Sequence, residues 1–382
     1  MLAGPMSPEE QAATLFLERF GEEAPLIVQA PGRICLIGGH TDYNKGFVLP
    51  MAIDRRTVIA ARPRTDRIVA VSSSDFPDTS FDLGSLQRGT GWAEYLKGIA
   101  WSMGADSLPG WEGVVVSTIP LGASLSSSAA LEVATALTFV TLANQNWDPI
   151  EAALMSSRAE NSWVGVSSGI MDQLISACGR ADQAILIDCR DLSQTPVPLP
   201  AGVSVVVLDT GTRRQLTESE YNQRRDECTE AAQGFGVASL RDLTMTAVDN
   251  PPRALSDIAI RRARHIVGEN ERTLAAAEAM NAGDPARLGD LISQAHVSLR
   301  DNFEVSSPAL DAMVQAAQSS PGCLGASMTG AGFAGCAIAL VKELAIDSFI
   351  EHTEERYRRT TDHIPALFTC RAAPGASVVR SR

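Results

Sequence analysis

Several familiar signatures are missing from this chain of 382 residues. The seven cysteines (Cys35, Cys178, Cys189, Cys228, Cys323, Cys336 and Cys370) are scattered, odd in number and without a CxxC. A disulfide framework is therefore not expected, and a reducing cytoplasm fits best. Only five histidines occur, with no HExxH and no metal-ligand spacing, so no structural zinc site is expected. There is no GxxxxGKS or GxxxxGKT, which excludes a P-loop nucleotide hydrolase. There is no HRD or DFG, which excludes a protein kinase. No apolar run reaches the length of a membrane span. The first twenty residues lack a basic stretch followed by an apolar core, so a signal peptide is not expected. Ser7-Pro8-Glu9-Glu10 instead opens an amphipathic surface helix. Basic residues are also few: 32 Lys and Arg face 45 Asp and Glu, a net charge of −13. That balance argues against nucleic acid or an anionic membrane as partner. It leaves a nucleotide open, because a few local donors decide phosphate binding. Aromatics make up 5% of the chain and leave no obvious interaction stripe, so a monomer is the default.

What is present is concentrated in three small-residue loops. The first, APGRICLIGGHTDYNKGFVLP from Ala30 to Pro50, packs Arg33, His40 and Asp42 between glycines in a strand-like apolar frame. The second is IPLGASLSSSAALEVA, from Ile119 to Ala134, and the third is GASMTGAGFAGCAIALV, from Gly325 to Val341. Polar groups in such stiff settings cost stability unless they bind something. Three serines behind a glycine turn, directly before a helix, favour phosphate over a simple cap, which needs one serine. Gly330-Ala331-Gly332-Phe333-Ala334-Gly335 matches GxGxxG, but the segment after it reads as a strand, so dinucleotide binding is rejected. These glycines let backbone approach a ligand or another loop. In GVSSGIMDQ, from Gly165 to Gln173, Asp172 heads an apolar helix as either an N-terminal charge or a buried catalytic group. Glu160, near the end of its helix, calls for a compensating cation.

At 45% hydrophobic and 20% charged residues, the chain has the composition of a globular protein long enough for two cores. Short strands are expected at Leu26 to Ala30 and Ile34 to Ile37, on either side of a Pro-Gly turn. A strand pair broken by Asp54-Arg55-Arg56 follows, from Phe47 to Ala61. Helices are expected at Trp92 to Ser102, Ser128 to Leu142, Pro149 to Ser162 and Met171 to Cys178. Ser193 to Gly202 is the expected crossover between domains, and the second half is mostly helical. The tail after Thr369 is expected to fray. Strands in runs and helices in runs make the class α+β, not a regular βαβ alternation.

Together and in this order, the three loops resemble those of the GHMP small-molecule kinases, and within them the galactokinase branch. The resemblance extends to LIDCRDL (Leu186 to Leu192), the run Tyr221-Asn222-Gln223-Arg224-Arg225, RRARHIVGENERT (Arg261 to Thr273) and SLRDNFEVSSPALD (Ser298 to Asp311). It implies a two-domain GHMP kinase fold. Residues 1–195 would form a ribosomal protein S5 domain 2-like domain, and residues 196–382 the C-terminal GHMP-type domain. The implied reaction transfers a phosphoryl group from ATP to the anomeric hydroxyl of a galactose-like sugar. Asp172 matches the catalytic aspartate and Arg33 the arginine that keeps it ionised. Gly122, Ala123, Ser124, Leu125, Ser126, Ser127 and Ser128 match the ATP loop, and Ser128 and Glu160 the Mg²⁺ ligands. Gly39, His40, Asp42, Gly169 and Tyr221 match the sugar-binding positions. The implied partners are a small sugar and ATP.

The chain departs from the branch at Gly39, where a glutamate to the sugar's C6 hydroxyl is usual. Losing such a charged hydrogen bond costs roughly 1.5–3 kcal/mol. D-galactose is the expected sugar, with L-arabinose, D-galacturonate and N-acetylgalactosamine as alternatives, and a non-catalytic sugar sensor as the other reading. Ser124 and Ala334 stand where glycine is usual, and Ser327 where arginine is. Ser124 is expected to avoid a glycine-only backbone conformation.

Overall fold

The computed structural model describes residues 6–213 and 217–381, the side chains of 217–219 excepted. In chain order the helices are α1 Pro8–Phe20, α2 Ala93–Met103, α3 Ser127–Leu142, α4 Pro149–Ala159, α5 Met171–Cys178, α6 Thr217–Phe235, α7 Met245–Asp249, α8 Asp257–Asn281, α9 Pro285–Asp301, α10 Pro308–Gln318 and α11 Ile346–Thr360. The strands are β1 Leu26–Ile37, β2 Phe47–Pro63, β3 Ile68–Ser73, β4 Thr79–Asp82, β5 Trp111–Ser117, β6 Gln183–Asp188, β7 Ser193–Pro198, β8 Val203–Asp209, β9 Cys323–Met328, β10 Cys336–Lys342, β11 Ala366–Cys370 and β12 Ser377–Ser381.

Two sheets carry the chain. The first runs β12-β1-β2-β5-β3-β4, with β6 added to β2 and β7 to β6; the second runs β11-β8-β10-β9. Only the β3–β5 pair is parallel among these ladders. One core lies between the first sheet and α2 to α5, with Val28, Val115, Leu137 and Leu174 among its members. A second core joins the halves: Ile34, Leu36, Leu49 and Met51 of the first sheet meet Val205, Val207, Ile338 and Leu340 of the second. Strands β1 and β2 are thus covered on both faces and read as apolar runs without alternation.

Several expectations change. The Pro-Gly pair at 31–32 does not turn the chain. It is absorbed as a register shift between Pro31 and Arg33 within one twelve-residue strand. The charged triplet 54–56 does not break β2 either, because partners distant in sequence reach it. Arg371 N donates to Asp54 Oδ1 at 3.3 Å, Arg55 stacks on Phe368 and Arg56 pairs with Glu9. Ser193–Pro198, expected within the crossover, is a strand paired with β6, and the chain passes to the second sheet at 199–202. The tail is not frayed: β11 pairs with β8, and β12 pairs with β1 from Leu26↔Ser381 to Gln29↔Ser377. Besides its helices and the strands expected at Val203 to Leu208 and Cys336 to Val341, the second half carries β9 and β11. Helix α1 opens with the full capping box of Ser7 and Glu10, as its sequence suggested.

Candidate active site

The three loops meet at one cavity of about 320 Å³ beside the joining core. Its floor is built from β1, the loop before α3, and the start of α5. A Cβ at Gly32 would lie 2.7 Å from Leu125 O, so glycine is what lets the serine loop close onto β1. Arg33 N then donates to Leu125 O at 3.1 Å. The bulged strand delivers the Arg33 guanidinium, 4% exposed, to Asp172 in the first turn of α5. The pair is bidentate: Nε donates to Oδ1 at 2.7 Å and Nη2 to Oδ2 at 2.6 Å. Arg33 Nη1 donates to Ser124 O at 2.7 Å, and Ser126 Oγ donates to Asp172 Oδ2. Burial opposes the charge on Arg33, but the carboxylate outweighs it and the guanidinium pKa rises.

The serines do not serve as a cap. Ser126 occupies the N-cap of α3 at φ 59 with no side-chain capping bond. Its hydroxyl is spent on Asp172, and Ser128 Oγ donates to Glu160 Oε1 at 3.0 Å. Glu160 stands where α4 passes into a π-helical turn, Glu160–Val164, that ends at Gly165 with φ 99. Glu160 also accepts from Ser168 Oγ at 2.6 Å and Gln173 Nε2 at 2.8 Å. Its pKa is raised by burial. Gln173 donates as well to Glu132 Oε2 at 3.1 Å. Glu132 is fully buried, and burial followed by Glu160 holds its pKa well above the carboxylate range.

The glycines of 330–335 approach another loop. A Cβ at Gly330 would lie 2.7 Å from Ser124 O, and one at Gly335 would lie 2.6 Å from Ser124 Oγ. The β9–β10 hairpin thus braces the serine loop from behind. Ser124 takes φ 62, in the left-handed region that favours glycine but that an L-residue can enter. Ser327 and Ala334 are buried at 2% and 7%.

Asp42, also lining the cavity, accepts from the backbone N–H groups of Tyr43 and Met171 and, among the described residues, forms no ion pair. Burial, then Asp172, pushes its pKa up to about 6. A Cβ at Gly169 would fall 1.8 Å from Asp42 Oδ2, so the 165–170 loop can pack there only as glycine. His40 packs among Tyr221, Phe303 and Tyr43, with centroids 5.5, 4.9 and 5.9 Å away. Its Nδ1 lies 3.0 Å from the Tyr43 hydroxyl. Gly39 lines the cavity, and a Cβ there would touch Leu299 Cδ2 at 3.2 Å.

Of the residues singled out from sequence, Arg33, Gly39, His40, Asp42, Gly122, Ser124 to Ser128, Glu160, Gly169, Asp172 and Tyr221 all line this cavity. Ala123 does not. It is 1% exposed and packs into the joining core behind the loop. Sequence reasoning missed Tyr95, Cys35, Val166, Ser168, Met171, Gly330 and Ala331 as lining residues. It also missed Glu132 and Gln173 behind Glu160. Ser168 and Gln173 lay inside a segment already singled out; Tyr95 had no signal beyond an aromatic ring in a helix.

Among the described residues, no group of three or more His, Cys, Asp or Glu side chains could hold a metal ion by itself. Ser128 and Glu160 offer two hard oxygens beside the anion-binding end of α3. That suits Mg²⁺, which is held by few protein ligands plus substrate phosphates.

The chain is similar to known proteins along most of its length. Residues 14–63 match the galactokinase galactose-binding signature, 94–180 the GHMP kinase N-terminal domain and 276–359 the GHMP kinase C-terminal model. The chain is 45% identical over 373 residues to the galactokinase of Roseiflexus sp. strain RS-1, covering 95% of each chain. It is 46% identical over 374 residues to that of Chloroflexus aggregans, covering 95% of this chain and 96% of the other. The Lactococcus lactis galactokinase complexed with galactose superposes with a TM-score of 0.92 at 35% identity, over 96% of this chain and 98% of that one. The mevalonate kinase of Methanococcus jannaschii, 18% identical with a TM-score of 0.62 over 91% and 98%, shares the fold.

Proposed function

Since the chain belongs to the galactokinase branch of the GHMP kinases and is an ATP-dependent sugar 1-kinase, we propose that Asp172 and Arg33 act at the reacting atoms as it converts D-galactose to α-D-galactose 1-phosphate. The observation that carries this reading is the bidentate Arg33–Asp172 pair at the foot of the serine loop. Arg33 grips Asp172 through two hydrogen bonds and fixes its carboxylate, which accepts or orients the anomeric hydroxyl proton. The same guanidinium offsets charge on the transferred phosphoryl group. Gly122 to Ser128 and the start of α3 offer backbone N–H groups and a positive dipole end to the phosphates. Ala123 contributes from behind, as packing. Tyr95, at the cavity wall, offers an apolar ring to the base.

Ser128 and Glu160 would hold Mg²⁺. When bound, that ion neutralises phosphate charge and orients the phosphates. Gln173 and Ser168 keep Glu160 turned toward Ser128. Asp42 accepts from two neighbouring sugar hydroxyls, with His40, Tyr221 and the Gly169 backbone as the walls of that subsite. Gly39 leaves the C6 side open. The labour divides by halves: residues 1–195 carry the phosphoryl chemistry, and residues 196–382 brace it. Seven free cysteines support a cytoplasmic protein, and the low aromatic content supports a monomer.

The test is ADP release with Mg-ATP against D-galactose, L-arabinose, D-galacturonate and N-acetylgalactosamine. The highest kcat/KM is expected for D-galactose. A preference for L-arabinose or D-galacturonate would make Gly39 a specificity switch, and no turnover on any sugar would overturn the assignment.

A further inference from the structure

Helix α8 carries the segment RRARHIVGENERT, which contributes no residue to the cavity lining. It nevertheless holds the first loop at three backbone atoms. His265 Nε2 lies 3.0 Å from Gly39 O. Glu269 Oε1 accepts from Gly38 N at 3.0 Å, and Asn270 Oδ1 accepts from Phe47 N at 2.8 Å. His265 and Glu269 are fully buried and Asn270 is 8% exposed. Their polar atoms would be costly without these partners.

The loop they hold is strained. Gly38 has φ 99, and His40, which is not glycine, has φ 64. A left-handed residue of that kind persists only where its surroundings over-determine it. Gly39 O belongs to the peptide that leads into His40, so a donor fixed on that oxygen fixes the approach of the strained residue. The tautomer follows from the chemistry: a carbonyl can only accept, so Nε2 carries the hydrogen and Nδ1 is left as an acceptor. Ser298 Oγ lies 2.9 Å from Nδ1 to donate to it, and Asn302 Nδ2 lies 3.3 Å from that hydroxyl. Burial lowers the His265 pKa to about 3, so the ring is neutral at ordinary pH and this arrangement holds. Arg272 Nε, at 2.8 Å, steadies Glu269.

We propose that His265, Glu269 and Asn270 are positioning residues that hold residues 38–47 in the conformation that binds the sugar. The inference rests on the sugar subsite proposed above. Its consequence is that a helix of the second half sets sugar affinity without touching sugar or nucleotide.

The test compares His265→Leu, which removes the donor to Gly39 O, with His265→Gln, whose amide can replace it. KM for sugar and for ATP, kcat and melting temperature are measured on each purified protein. In His265→Leu the sugar KM is expected to rise about 10- to 100-fold, with ATP KM within about twofold of the parent. His265→Gln is expected to recover most of the loss. A lowered melting temperature with both KM values unchanged would overturn the proposal, as would an equal loss in both variants. If His265→Leu does not fold, Asn270→Ala is read in its place, with the same expected split and the same refutation. Asp42→Asn in the same series separates this inference from its premise. An unchanged sugar KM in Asp42→Asn overturns the subsite and the inference with it. A raised sugar KM there, with none in His265→Leu, overturns the inference alone.

Discussion

Asp172 and Asp42 line the same cavity, and the fold treats them differently. Asp172 receives a bidentate guanidinium and a serine hydroxyl. Asp42 receives backbone N–H groups, and its pKa is pushed up to about 6 by burial and by Asp172. On the proposed reading, the cation stands where charge develops on the transferred group. The other end keeps an under-compensated carboxylate, which a neutral partner with two hydroxyls can satisfy. Their supports differ in origin as well. The Asp172 end is assembled from β1, the serine loop and α5 of the first half, whereas the Asp42 loop is pinned by α8 of the second.

Three measurements bear on this contrast. The largest effect is expected from Gly169→Ala, whose Cβ would fall 1.8 Å from Asp42 Oδ2 and must displace it. Sugar kcat/KM should fall about 100-fold, with nucleotide affinity unchanged. Loss of nucleotide affinity would show that the two sides are not separable. A smaller effect is expected from pH. In the proposed subsite Asp42 accepts hydroxyls as a carboxylate, so sugar kcat/KM should fall as pH drops through about 6, roughly tenfold per unit below it. The Asp42→Asn protein should lack that limb. The smallest effect is on the ligand-free fold. A carboxyl whose folded pKa lies above its unfolded value opposes folding above about 6, and that penalty disappears as pH falls toward 4. Asp42→Asn should therefore stabilise the protein at pH 7.5 by on the order of 1 kcal/mol, since solvent in the cavity screens part of the shift. The difference should vanish near pH 4. Calorimetry at the two pH values checks it.

Legibility followed contact range. Helix α5 was read to the residue, Met171 to Cys178, because its apolar spacing is local. The phosphate loop was legible because three serines exceed what a cap needs. Strands β1 and β2 were cut in two because Pro31-Gly32 and Asp54-Arg55-Arg56 look like breaks, and the groups that bridge them come from elsewhere in the chain. Strand β9 was hidden by its small residues. A Cβ at Gly325 would lie 2.0 Å from Gly289 O, so backbone packs on backbone there and no alternation results. Strand β12 pairs with residues some 350 positions away. In the site, the motif residues with an assigned role were found, whereas Cys35, Val166, Ser168, Met171, Gly330 and Ala331 of the same segments were not singled out as lining. Glu132, Gln173 and Tyr95 were missed because their roles arise from burial and from neighbours distant in sequence. The α8 segment was legible as a helix of the second half, but its hold on the first loop was not, since that work is done on backbone atoms of another loop.

The most direct test of the central claim is a kinetic comparison of Asp172→Asn and Asp42→Asn, with nucleotide affinity measured on each. Separate duties predict that Asp172→Asn lowers kcat by about 10²- to 10⁴-fold with ATP still bound, whereas Asp42→Asn acts chiefly on sugar KM. Near-normal kcat in Asp172→Asn, or the same kinetic change in both variants, would contradict it.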